Sequence, residues 1–230
     1  MNKNFFEIKD VTFSIGGMDK VNDVNISIKN EGDIICILGP SGIGKTTMLR
    51  TIAGLERVNK GEIVLKDKII SSDKIHIEPE KRNISLSFQE NSLFPHYTVD
   101  KNIHLGIKKN STSNKNINSK DIIKILNIEN ILNKYPHQIS AGEAQRASLA
   151  RSLISQPDLL LLDEPLSNVD QSFKEDIQVS LKQLLNKNKI STIVVTHDSY
   201  EAFYLGNKCA LVLDNEVKQF DDPYNVYHFP

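Results

Sequence analysis

The apolar residues of this chain fall into two rhythms. "FFEIKDVTFSI", "VNISIK", "DIICIL" and "GEIVLKDKII" are short β-rich runs bounded by turn residues, and they predict strands in the first seventy residues. Between the third and fourth runs, "KTTMLRTIAGL" repeats Met48, Leu49, Ile52 and Leu55 at helical spacing, with Gly54 marking the end. "DIIKILNIENILNKY" and "GEAQRASLARSLIS" then repeat the helical pattern, so residues from about 85 to 155 predict an α-helical lobe. Beyond it "DLLLLDEP", "STIVVTHD" and "CALVLD" are nearly continuous apolar runs, as in parallel strands covered on both faces. The pattern predicts a single domain with an α/β core, about 1–84 and 156–230, into which the lobe is inserted. "KKNSTSNKNINSK" (108–120) is polar and of low complexity and predicts a mobile surface loop.

A length of 230 residues suffices to bury a large core without disulfides or metals. With 28 basic and 29 acidic residues there is no basic field to recommend nucleic acid and no acidic excess to suggest disorder. Cys36 and Cys209 sit inside apolar runs without metal-ligand spacing and predict buried structural thiols. "MNKNFFEIKD" lacks the apolar stretch of a signal peptide, and no run approaches the roughly 18 apolar residues of a membrane span. A soluble, cytoplasmic chain is expected, reaching any membrane through a partner.

The chemistry is concentrated in a few short stretches. "GPSGIGKTT", Gly39 to Thr47, fits G-x-x-x-x-G-K-[ST] and lies between a predicted strand and a predicted helix, the context the motif requires. Residues Gly39, Pro40, Ser41, Gly42, Ile43, Gly44, Lys45, Thr46 and Thr47 are the candidate nucleotide contacts. Backbone N–H groups wrap phosphate oxygens, Lys45 reaches the β- and γ-phosphates, and the Thr46 hydroxyl ligates Mg²⁺. Asp163 ends the "LLLLD" strand, where an α/β sheet opens its ligand crevice, and is the candidate metal carboxylate. Glu164 follows as the candidate to orient or deprotonate the attacking water. His197 closes "STIVVTH", and a strand neighbouring that of Asp163 would bring it to the same crevice. Gln89, after "SLSF", is a candidate for the metal or the water. His76, His96, His104, His137 and His228 have no such setting. A second helix start, at Ser140, Ala141 and Gly142 of "HQISAGEAQR", leaves N–H groups open to an anion.

Taken in order, these stretches resemble the nucleotide-binding subunits of ABC (ATP-binding cassette) transporters over essentially the whole chain. "GPSGIGKTT" is similar to the Walker A loop, "FQ" ending at Gln89 to the Q-loop, and "ISAGEAQRASLARSL" to the ABC signature. "LLLLDEP" resembles Walker B, "SNVD" with Asp170 the D-loop, and "VVTHD" the switch-histidine segment. The resemblance implies a P-loop NTPase (RecA-like) core with an N-terminal antiparallel β subdomain and an inserted helical lobe, binding ATP and Mg²⁺. In this family two subunits meet head to tail, so Ser140, Ala141, Gly142 and Glu143 would close over the ATP held by the other copy. The signature usually reads LSGGQ; this chain departs at Ile139, Ala141 and Glu143, which bears on rate.

The resemblance further implies a second copy or a paralogous cassette, integral membrane subunits, and an extracytoplasmic solute-binding protein, with the chain peripheral on the inner face of the cell membrane. "IEPEKRNISLSFQENSLFPHYTVDKNI" is most similar to importer ATPases for iron, polyamines, sugars or thiamine, and Leu93, Phe94, Pro95 and Tyr97 suit a docking surface for a membrane partner. From the close on "YNVYHFP", the C-terminal regulatory barrel of many sugar and polyamine importer ATPases is not expected. Export is the alternative direction. A soluble ABC-type ATPase of DNA repair or chromosome maintenance is an alternative role, but only 95 positions separate Lys45 from Ser140, too few for its long coiled coil, and no DNA footprint exists. A P-loop kinase has no use for the second helix start. The adenine, stacked on an aromatic residue in most relatives, falls at Ile15, with Phe13 two positions earlier on the same strand face as the competing platform.

Overall fold

A computed structural model describes residues 4–15, 18–88, 93–105, 118–169 and 171–228. Strands β1 (Phe6–Ile15) and β2 (Met18–Ile28) pair antiparallel, and β1 also carries the hairpin of β4 (Glu62–Leu65) and β5 (Lys68–Ser72). The single run "GEIVLKDKII" folds into that hairpin because Lys66 and Asp67 both take left-handed backbone angles, φ 49° and 62°, matching a two-residue turn between twisted strands.

Strand β3 (Ile34–Leu38) lies at the centre of the remaining sheet, followed by helix α1 (Lys45–Ala53). The parallel strands β6 (Ile84–Ser87), β7 (Leu159–Asp163), β8 (Ser191–Thr196) and β9 (Lys208–Leu213) complete it, and β10 (Glu216–Asp221) runs antiparallel to β9 and touches β2. The full order is β5-β4-β1-β2-β10-β9-β3-β8-β7-β6. It is the mixed α/β arrangement expected of a P-loop NTPase core with an antiparallel N-terminal part. Ile84–Ser87 is an edge strand of this sheet, so sheet residues continue past position 84 before the helices begin.

The continuous apolar runs have a direct cause. Leu160, Leu162, Ile34 and Cys36 face one hydrophobic cluster, while Leu159, Leu161, Ile35 and Ile37 face another, so both sides of each strand are buried. The first cluster takes in the helices α2 (Val99–His104), α3 (Ser119–Ile125), α4 (Ala141–Ile154), α5 (Gln171–Lys187) and α6 (Ser199–Leu205), so the helical lobe shares its core with that face of the sheet. The second lies under β1, β2 and α1. A short helix α7 (Pro223–His228) ends the described chain.

"DIIKILNIENILNKY" is not one helix. α3 stops, Asn127 turns left-handed at φ 49°, and a 3₁₀ turn at 129–131 follows, because asparagine tolerates that conformation and breaks the helical register. Cys36 and Cys209 are buried, reduced, and face each other across β3 and β9. Arg82 is almost fully buried and donates to the carbonyls of Thr51 (3.2 Å), Ile52 (2.9 Å) and Ile77 (2.5 Å), closing the end of α1; burial lowers its pKa to about 10. Among the described residues no helix is long and apolar enough to cross a membrane.

Candidate active site

The C-terminal ends of β3, β7 and β8 lie abreast, with Leu38 opposite Thr196 and Val195 opposite Asp163. Each strand therefore delivers its next residues to one crevice. From β3 comes the 39–44 loop, which leads into α1 through Gly44 at φ 111°, an angle that suits glycine and costs other residues strain. No side chain caps this helix and its first turn carries no acid, so the N–H groups of its start remain open to a ligand.

Lys45 is 5% exposed, and its Nζ donates to the carbonyls of Gly39 (2.7 Å) and Pro40 (2.8 Å). Burial lowers its pKa, with Glu164 and Asp163 opposing the shift. The Thr46 hydroxyl donates to Asp163 Oδ2 at 2.8 Å, bringing together the two oxygens expected to share a metal. Asp163 is 4% exposed; burial raises its pKa, the Thr46 bond pulls it down, Glu164 adds to the rise, and Lys45 opposes it. A hydroxyl beside one buried carboxylate suits Mg²⁺, which keeps much of its shell for waters and phosphate oxygens. Among the described residues no group of three or more His, Cys, Asp or Glu side chains gathers into a cage that would do without those oxygens.

Glu164 lines the same crevice. Its N–H donates to Val195 O at 2.8 Å, its backbone is left-handed at φ 46°, and His197 Nδ1 lies 2.9 Å from its Oε1. The segment behind His197 is pinned. Thr196 Oγ1 donates to Glu201 Oε2 at 2.6 Å, and Asp198 caps α6 through Tyr200 N and Glu201 N while pairing with Lys174 Nζ at 2.6 Å. Asp163, Glu164 and His197 thus converge as their strand positions predict.

A cavity of about 250 Å³ sits over the loop, lined by Ser41, Gly42, Gly44, Lys45, Thr46, Thr47, Asp163, Glu164 and Lys20. None of Ser140 to Glu143 is in that lining. Their helix start stands apart and exposed at Ser140, with a closed capping box: Ser140 Oγ accepts from Glu143 N at 3.2 Å and Glu143 Oε2 accepts from Ser140 N at 2.7 Å. Those hydrogen bonds hold the Glu143 carboxyl below the usual range.

Gln89 and Asp170 lie outside the described residues, as does the Ile15 side chain. Phe13 is wholly buried under α1 and presents no face to the cavity. Two residues of the site escaped the sequence reading. Lys20 reaches it because a glycine at 44 lets β2 approach: a Cβ there would lie 2.6 Å from Lys20 Cβ, and no spacing announces that contact. Gln145 sits inside the quoted "ISAGEAQR" segment, where only the preceding residues carry an anion-binding pattern; its contacts depend on tertiary packing.

A model of the family described as ABC transporter matches residues 21–167. The Fe(3+) ions import ATP-binding protein FbpC of Fusobacterium nucleatum is 36% identical over 91% of this chain and 56% of its own length. The spermidine/putrescine import ATP-binding protein PotA of Thermotoga maritima is 38% identical over 97% of this chain and 60% of its own. The chain thus spans somewhat more than half the length of these relatives. Among solved structures, a dimeric ATP-binding cassette in a post-hydrolysis state with ADP and Pi is similar at TM-score 0.80 and 28% identity, covering 95% of this chain and 98% of that one.

Proposed function

This chain belongs to the ABC transporter family of ATP-binding proteins, and from that premise we propose that it hydrolyses ATP as one half of a head-to-tail dimer and so powers solute import through membrane subunits. The observation that carries the reading is the separation of two anion-binding helix starts. One is gathered with Asp163 and Glu164 around a single cavity, with His197 bonded to Glu164, and the other, at Ser140, contributes nothing to that cavity's lining. A second copy in reversed orientation brings the Ser140 helix to the phosphates held by the loop of the first.

Within the site, Lys45 exchanges its bonds to Gly39 and Pro40 for phosphate oxygens, and Ser41 to Thr47 supply N–H donors. Thr46 and Asp163 would hold Mg²⁺, which when bound neutralises phosphate charge. Glu164 accepts a hydrogen bond from the attacking water and holds it in line, and His197, bonded to that carboxylate, fixes its direction. Gln89 takes part beside the metal or the water, Asp170 and the 140–143 segment act across the dimer, and Ile15 borders the adenine.

The import direction draws on the relatives' activities. An iron or polyamine solute, a solute-binding protein, and attachment to the inner membrane face through integral subunits belong to the same proposal, as does the 1–230 chain acting as one cassette domain. Replacing Glu164 with Gln tests it. The variant should bind ATP, fail to turn it over, and form a stable dimer with Mg-ATP by light scattering. Monomer only, with hydrolysis at the wild-type level, overturns the assignment.

A further inference from the structure

Glu164 keeps a backbone conformation, φ 46°, that non-glycine residues avoid. Such a residue persists only where its surroundings over-determine it. Here both of its peptide groups are held. Its N–H is taken by Val195 O of β8, and its carbonyl accepts both Ser167 N at 3.2 Å, within the turn, and Gln145 Nε2 at 2.8 Å, from α4.

Gln145 is 3% exposed and uses its amide fully. The second Nε2 hydrogen reaches Ser167 Oγ at 3.2 Å, and Oε1 accepts the N–H of Asn168 at 3.0 Å. Its contacts run to three residues of the turn that carries Glu164 out of β7. The same helix closes on that turn a second time at Gly142, where an added Cβ would lie 2.5 Å from Asn168 O. The start of α4 and the turn after Asp163 therefore pack as one unit, with one buried amide as the bolt.

We infer that Gln145 is a positioning residue that holds Glu164 in its working conformation and so ties each chain's hydrolytic carboxylate to the helix start it presents to the other copy. Gln145 touches neither nucleotide nor water in this account; it acts through the Glu164 carbonyl. A loss of the amide removes the shorter of the two bonds on the Glu164 carbonyl and leaves the turn's own Ser167 N–H there, so the left-handed conformation is less firmly held and the carboxylate drifts from the water it aligns. The expected signature is a fall in kcat with ATP affinity retained.

The inference rests on the shared-site reading, and mixed dimers separate the two. A Ser140→Arg chain mixed with a Lys45→Ala chain has one working site, in which the first chain supplies loop and Glu164 and the second supplies the helix start. This control must regain turnover; if it does not, the shared site fails and the position of Gln145 is not at issue. Gln145→Met is then added to one chain at a time, with Gln145→Glu, equal in shape but lacking the Nε2 donors, as the second variant should the first unfold. On the Ser140→Arg chain, the one that lends Glu164, it should cut the regained turnover by about tenfold or more, with fluorescent ATP-analogue binding within about twofold of the control. On the Lys45→Ala chain it should leave turnover within about twofold. Equal loss in both arrangements, loss only with the helix-lending chain, or no loss in either overturns the inference.

Discussion

The starts of α1 and α4, both proposed to meet phosphate, are built in opposite ways. α1 begins at a left-handed glycine with no cap and no acid, on a lysine buried against the loop's own carbonyls. α4 begins at an exposed serine whose box with Glu143 already takes the N–H groups of Ser140 and Glu143 and sets a carboxylate in the first turn. The first is prepared to hold an anion alone. The second has two of its donors already taken, and a phosphate reaching it must compete with Glu143. The contrast teaches why a cassette binds nucleotide as a single chain but is expected to close on it only with a partner that brings the phosphate in.

Substitutions on the two sides should differ in kind. Phe13→Ala removes a wholly buried ring from the cluster that supports α1 and should lower stability by about 3–5 kcal/mol, seen in urea unfolding. ATP affinity of the folded fraction should change little; a large loss would move the adenine onto Phe13. Asp163→Asn should act in the reverse direction. The folded carboxyl has its pKa raised by burial, so its ionised form is penalised, a cost absent below the unfolded value of about 3.9 and grown to its full size once pH passes the folded value. At neutral pH the neutral amide should therefore raise the Tm of the nucleotide-free protein, by about 2–4 °C for each kcal/mol recovered, while Mg²⁺ ceases to strengthen ATP binding.

On the α4 side the effects are smaller. Glu143→Gln keeps the box and removes the charge that favours the helix start, worth about 0.3–1 kcal/mol. The Glu143 carboxyl is held low, so its contribution is present above the unfolded pKa and lost as pH falls through the folded one. The variant should flatten the acid limb of thermal stability and, by withdrawing a competing anion, lower the ATP concentration needed for dimerisation. An unchanged dimerisation midpoint would show that the charge does not face the shared phosphate.

The two regions also differ in how far the sequence discloses them. The loop, Asp163 and His197 were legible because their chemistry is written in consecutive residues at the ends of apolar strands. Parallel pairing then brings β7 and β8 side by side, and Glu164 meets His197. What holds these groups was not legible. Lys20 arrives from a strand whose own pattern records only burial, and Gln145 meets Glu164 across 19 positions by a bond that only the packing of α4 on the sheet creates. The helical pattern of "DIIKILNIENILNKY" is broken at Asn127 for a related reason, since apolar spacing continues through a residue whose backbone reverses. Periodicity reports which side chains are buried, and it is silent on where the backbone turns.

The most direct test of the account is the pairing of these two helix starts between copies. Ser41 and Ala141 are exposed, and the native Cys36 and Cys209 are buried, so single cysteines at 41 and 141 can be joined by a short bis-maleimide with little background. In the Glu164→Gln protein, a Ser41→Cys chain and an Ala141→Cys chain should cross-link to each other when Mg-ATP is added, and neither chain should cross-link to its own kind. Dimers that join 141 to 141, or that form with Mg-ATP without any 41 to 141 link, contradict the shared site.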